Sequence, residues 1–177
     1  MSLRKIPYKS VIFLSLLGVV TILPSFINKG IKIPVLEIAR KYLGLKELPG
    51  SRKNEVITEM YSSFGYPYDE NTHWCVLFLN LILREGSYCY MRTLWVFDYL
   101  KYPGKDLTLE ELKPGDIVIL GKQSPGSIWG HIGFFVERSD NIIYILGGNQ
   151  AESVNIAGFR SSDFIAGKKP LYKKCYV

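Results

Sequence analysis

The spacing of apolar positions changes once along this chain, near residue 114. Before it they recur at helical intervals; after it they alternate or run continuously over short stretches. Val35, Leu36, Ala39, Tyr42 and Leu43 mark one face of a predicted helix over Val35–Leu43, ended by Gly44. Pro49, Gly50 and Ser51 form a turn. Val56, Ile57, Met60, Tyr61 and Phe64 line one side of a second helix, Asn54–Phe64, and a loop from Gly65 to Asn71 follows. The third, Cys75–Leu83, reads CVLFLNLIL. It is apolar nearly all round, which predicts a helix buried at the domain centre. Thr72 or Asn71 is its expected N-cap and Gly86 its C-terminal stop. Thr93–Leu100 fits a further short helix.

Pro114, Gly115 and Asp116 then turn the chain into a strand, Ile117–Leu120. His131–Glu137 and Asn141–Leu146 are the next strands, with weaker ones at Val154–Ala157 and Leu171–Val177. Helices first and an antiparallel meander second make an α+β layout: helices packed on a small antiparallel sheet.

The N-terminus is of a different kind. Ser10 to Asn28 is a run of 19 uncharged residues between Lys9 and Lys29. As a helix it reaches about 28 Å, close to the hydrocarbon thickness of a bilayer. The order predicted is a basic tail over 1–9, a transmembrane or signal-anchor helix over 10–28, a linker over 29–34 and a catalytic domain over 35–177. A cleaved signal peptide is the competing reading, but the usual small-x-small cleavage site is missing. Arg4, Lys5, Lys9 and the α-amino group precede the span, against Lys29 and Lys32 after it. This bias favours an inside N-terminus and a domain on the outer, extracytoplasmic side. The same residues explain the net charge of +6. Residues 1–36 hold five basic and no acidic residues, leaving 22 − 5 = 17 basic against 16 acidic in the remainder. The domain is thus nearly neutral, and a nucleic-acid partner is not expected.

Candidate chemistry rests on few residues. There are three cysteines, Cys75, Cys89 and Cys175. An odd count leaves one free; Cys89 and Cys175 could pair in an exported domain. Cys75 falls in the first turn of the buried helix, where unpaired N–H groups and the macrodipole stabilise a thiolate. Of the two histidines, His73 stands two residues before Cys75, where neighbouring side chains splay apart, and is a poor proton acceptor for it. His131 opens a strand between Gly130 and Gly133 and is the better base. A three-residue hairpin loop, Arg138 to Asp140, makes paired positions sum to 278. It sets Asn149 diagonally across from His131, within reach of the imidazole N–H. A shift of loop parity brings Gln150 to that face instead. Singly, each residue has a structural reading: a buried thiol, a satisfied strand histidine, a turn asparagine. Their order along the chain is what raises the catalytic one.

These pieces resemble a known family. THWC at 72–75 before an apolar helix, KPGDIVIL at 113–120, GHIGFFVE at 130–137 and LGGNQ at 146–150 look like the CHAP superfamily of cysteine, histidine-dependent amidohydrolases and peptidases. IARKYLGLKELPG, with Asn54 after it, looks like the start of a CHAP-like branch of phage and bacterial genomes. The resemblance spans about residues 35–160. It implies a papain-like fold and cleavage of an amide bond in peptidoglycan, at the muramoyl–alanine link or within the peptides. Cys75 is then the nucleophile, His131 the base and Asn149 the orienting residue. Asp116 matches a recurrent aspartate of the family and fixes a turn. Trp74, Trp129 and Gln150 are candidate substrate contacts, with core packing the alternative role for either tryptophan. No acidic loop resembles the calcium site of some members, so no metal or cofactor is expected. The expected partners are peptidoglycan and, through residues 10–28, a lipid membrane. A membrane-held amidase suits a phage lysis protein or a virion-borne wall hydrolase. The alternatives are a non-catalytic, membrane-anchored virion or envelope protein that binds wall peptides, and a cysteine peptidase acting on protein. A retained anchor predicts that the full chain stays with the membrane pellet through carbonate extraction; release into the supernatant would contradict it.

Overall fold

Nine consecutive residues, Cys75 to Leu83, are buried, so the helix that carries them runs through the protein interior. The computed structural model describes residues 34–48, 54–69, 72–121, 129–173 and 175. All belong to one unit, Lys32–Val177. Three α-helices come first: α1 (Val35–Arg40), α2 (Glu55–Ser63) and α3 (Cys75–Glu85). A 3₁₀ turn, Val96–Lys101, leads into the strands β1 (Asp106–Leu107), β2 (Ile117–Gly121), β3 (Gly130–Ser139), β4 (Ile142–Gln150), β5 (Ser153–Arg160) and β6 (Phe164–Lys168). They form one six-stranded antiparallel sheet in the order β1-β6-β2-β3-β4-β5. The α+β layout of helices on an antiparallel sheet is therefore what the chain adopts. The predicted basic tail, the span over 10–28 and the linker up to Ile33 lie outside the described residues. Among the described residues, no helix is long and apolar enough to cross a membrane.

The sheet is covered on both faces, which is why its central strands are buried on successive residues. Ile117, Ile119, Ile132, Phe134 and Leu146 join the helices in the main core. Val118, Leu120, Phe135, Ile143 and Ile145 form a second cluster with Leu112, flanked by Leu107 and Leu109. α3 packs chiefly on β3 and β4. Trp74 is fully buried, and its ring meets Phe78 edge to face at 6.5 Å. Both press on Gly148, where an added Cβ would lie 2.6 Å from Trp74 Cζ3 and from Phe78 Cβ.

Several local expectations change. The N-cap of α3 is Trp74, with no side-chain cap; Thr72 instead donates to Asp69 Oδ2 at 2.9 Å, and Asn71 is outside the described residues. The helix ends at Gly86 as its sequence suggests. The predicted strand over Leu171–Val177 is absent from its described residues. Leu171 donates its N–H to Tyr102 Oη at 3.0 Å and accepts from Cys89 N–H at 2.9 Å, so its backbone bonds to loops rather than a ladder. The sixth strand is β6, earlier in the chain. Cys89 and Cys175 form a disulfide, with Cα atoms 4.6 Å apart, and Cys75 is free.

The loop between α3 and the 3₁₀ turn is held from inside. Asn80, buried in α3, donates to Met91 O at 2.7 Å and accepts from the Tyr99 hydroxyl. Tyr99 stacks on Tyr102, whose hydroxyl donates to Cys89 O at 2.9 Å. Asp116 fixes its predicted turn: Oδ2 accepts from Lys113 N–H at 2.8 Å, and Oδ1 meets Lys169 Nζ at 2.7 Å. Because the helix lies directly on Gly148, Gly148→Ala should overpack the interface and lower stability by about 1–3 kcal/mol, read as a fall in Tm. An unchanged Tm would mean the helix and sheet are not in this close contact.

Candidate active site

A cleft of about 400 Å³ opens where the start of α3, the start of β3 and the end of β4 converge. Cys75 and His73 line it from the helix, Gly130 and His131 from β3, and Asn149 from β4. Leu94 to Phe97 form the opposite wall. That wall is fixed by the buried Asn80 network and by Phe97, which lies on Gly121 and Gly130; a Cβ at either would meet its ring at 3.0 Å. A second recess of about 330 Å³ shares Trp129, His131 and Asn149 with the first. Its other wall is β5, with Asn155 and Ala157 to Phe159.

The sulfur of Cys75 is nearly enclosed, with the residue 2% exposed. Backbone N–H groups of Val76, Ile132 and Cys75 itself point hydrogen bonds at it. The Ile132 contact ties the thiol to the strand residue that follows His131. Those bonds favour a thiolate, but desolvation outweighs them and pushes the thiol up to about 11. The expected low-pKa thiolate at the helix start is therefore corrected: burial keeps Cys75 a neutral thiol at neutral pH.

His131 is also buried, and its ring stacks on Phe159 with centroids 5.2 Å apart. Its Nε2 lies 3.1 Å from Gln150 Oε1. The amide of Gln150 is oriented by its other end, since Nε2 donates to Asn155 O at 2.6 Å and to Asn155 Oδ1 at 2.9 Å. Its oxygen must face the imidazole, so His131 carries its proton on Nε2 and leaves the Nδ1 lone pair free. Gly147 makes room for this pair: a Cβ there would be 3.0 Å from Gln150 Oε1 and 3.3 Å from His131 Nε2. Burial lowers the His131 pKa to about 4, against the opposing Gln150 bond, and His73 lowers it further.

The partner expected for His131 is thus corrected. Asn149 makes no bond to it; its Nδ2 lies 3.0 Å from His73 Nδ1. Gln150 holds His131 instead. The cause is the local backbone. The β3–β4 turn has two residues, Asp140 and Asn141, and β3 bulges at Val136, so paired positions sum to 281 and then 280; the two shifts cancel in parity, and the exchange arises further along β4. A second irregularity between Gly147 and Gln150 breaks the β4–β5 ladder. Asn149 sits there in the left-handed region, φ 57°. It is followed, after Gln150, by Ala151 at φ 49° and Glu152 at φ 58°. Neither Ala nor Glu adopts that region readily, and the turn is braced by residues 44–47. Gly44 N–H donates to Val154 O, Val154 N–H to Leu45 O, and Glu47 N–H to Glu152 O, at 2.8–2.9 Å.

Trp74 is not a cleft residue. It is fully buried and its indole N–H donates to Glu47 Oε1, so packing is its place. Trp129 does line both recesses and is 38% exposed. Gln150 lines the second recess only. Sequence reasoning missed Trp95, 50% exposed on the far wall, along with Asn155 and Phe159. It also set His73 aside, although His73 lines the cleft. Comparison with protein-family models and with curated proteins finds no match to this chain.

Cys75 and His131 thus line one cleft, and burial holds both toward their neutral forms. The lowered pKa of His131 has a stability consequence with a definite sign. The unfolded chain binds a proton near pH 6.5 that the folded chain refuses until about 4. Stability from this group is full above 6.5 and falls by up to about 3 kcal/mol as pH drops to 4. Urea unfolding at pH 7.5 and 4.5 should show this loss, and His131→Gln should remove most of it.

Proposed function

We propose that this chain is a membrane-anchored peptidoglycan hydrolase of papain-like CHAP type, in which Cys75 cleaves an amide bond of murein. The observation that carries the reading is the convergence of Cys75 and His131 on one open cleft. The imidazole has its tautomer set by Gln150. The motifs quoted above supply the substrate class. The disulfide supports an oxidising, extracytoplasmic location for the domain, and the apolar run over 10–28 supports a bilayer anchor. A phage lysis protein or a virion-associated wall hydrolase fits both.

The reaction is acyl transfer to water. The Cys75 thiol gives its proton to His131 Nδ1 as the sulfur–carbon bond forms, and the imidazolium passes that proton to the leaving amine as the carbon–nitrogen bond breaks. Water then attacks the thioester, losing a proton to His131, and the thiol is restored. Gln150 Oε1 accepts from Nε2–H throughout and steadies the imidazolium, the role that a triad gives its third member. As the sulfur–carbon bond forms, the Cys75 backbone N–H, which at rest points at its own sulfur, turns to the oxyanion. A second reading, in which the domain binds wall peptides without cleaving them, draws on the buried, neutral state of Cys75.

One measurement separates these readings, and a second tests the state of the thiol that both assume. Cys75→Ala should abolish release of new amine ends from purified murein while the protein stays folded, and His131→Ala should do nearly the same. Undiminished release would end the hydrolase reading, and the mass of the fragments names the bond. Alkylation of Cys75 by iodoacetamide should be slow near neutral pH and accelerate steeply between pH 9 and 11, following the raised thiol pKa. Rapid alkylation at pH 6 would show that the thiol is not held neutral.

A further inference from the structure

The mechanism leaves the second cleft histidine unused. We infer that His73 is a catalytic residue, its Nε2–H donating a hydrogen bond to the carbonyl oxygen of the scissile amide, and that Asn149 is the positioning residue that fixes this tautomer. This rests on the amide-hydrolase reading above.

The two imidazoles of the cleft have opposite partners. Gln150 presents an oxygen to His131, so that ring keeps a proton on the bonded nitrogen and a lone pair on the other. Asn149 presents Nδ2 to His73 Nδ1 at 3.0 Å. An amide nitrogen only donates, so Nδ1 accepts, and the neutral ring carries its proton on Nε2. One imidazole is left with a free acceptor and the other with a free donor. His73 therefore cannot serve as a base, since its one lone pair is taken, but a neutral imidazole N–H can polarise a carbonyl.

The place suits that task. Attack by sulfur drives charge onto the carbonyl oxygen, and such sites use preorganised donors beside the nucleophile. One donor is the Cys75 N–H; His73 precedes it by two residues and lines the same cleft. His73 is exposed, and the core role at this corner is filled by Trp74. Asn149 reaches His73 from a left-handed backbone, which asparagine adopts more readily than other residues with a Cβ. Such conformations cluster where they serve a site.

The experiment uses the full chain with a soluble muropeptide, following kcat, KM and the rate of Cys75 alkylation at pH 9. His73→Leu should lower kcat by about 10²–10³-fold with KM little changed. His73→Gln, which restores an N–H donor, should recover much of the rate. Asn149→Leu should lower kcat by a smaller factor. Alkylation forms no oxyanion, so its rate should be the same in His73→Leu as in the parent, whereas His131→Ala slows hydrolysis. A His73→Leu protein with parental kcat overturns the inference. So does a fall in alkylation that matches the fall in hydrolysis, which would place His73 on the thiol instead. If the parent chain cleaves no muropeptide, the hydrolase reading fails and this one with it. Parental cleavage with an unimpaired His73→Leu removes this inference alone.

Discussion

The contact between α3 and the bare backbone of Gly148 is the constraint from which the rest of the domain follows. Trp74 and Phe78 sit against that glycine, so the first turn of the helix meets the end of β4 without a spacer. Cys75 follows Trp74, and Asn149 and Gln150 follow Gly148. One packing contact therefore brings together residues about 75 positions apart in sequence. Glu47 reinforces it from outside, accepting from the Trp74 indole through its side chain while its N–H holds Glu152. The site is a by-product of how the core closes at this corner.

The same closure sets the electrostatics. No carboxylate lines the main cleft among the described residues, and the groups that orient the two histidines are amides. Burial then works on thiol and imidazole in the same sense, against charge. A resting ion pair is disfavoured at both ends. Three N–H groups around the sulfur do not reverse that, because they compete with nearly complete loss of water. A cysteine at a helix start is thus reactive or inert according to its enclosure, which the helix position alone does not reveal.

Much of the frame was legible because it depends on local pattern. The all-round apolar run announced α3, and the glycine at 86 its end. Asn54 stands at the start of α2 and caps it, accepting from Val56 N–H and Ile57 N–H. The order of Cys75, His131 and the GGNQ segment announced a shared site. What escaped depended on backbone irregularity. A bulge at Val136 leaves no mark in alternation, and it moved the register. β6 reads FIAGK, too short and glycine-broken to stand out, while the more apolar end of the chain drew the strand assignment instead. Trp74 looked like a cleft aromatic because sequence gives no direction to a side chain one residue before a helix. Gln150 was reachable as the fallback, although what brings it to His131 is the irregularity between Gly147 and Gln150 and not the parity of the hairpin loop.

The strained hairpin end has one more consequence. Asn149 and Gln150 are consecutive, bracketed by glycines on one side and by Ala151 and Glu152 in left-handed conformations on the other. Each amide dictates where a different ring keeps its hydrogen. A shift of this short stretch would carry both amides away from their rings at once. The two amide–imidazole contacts therefore share one backbone support, although each amide keeps its own orientation, that of Gln150 through Asn155.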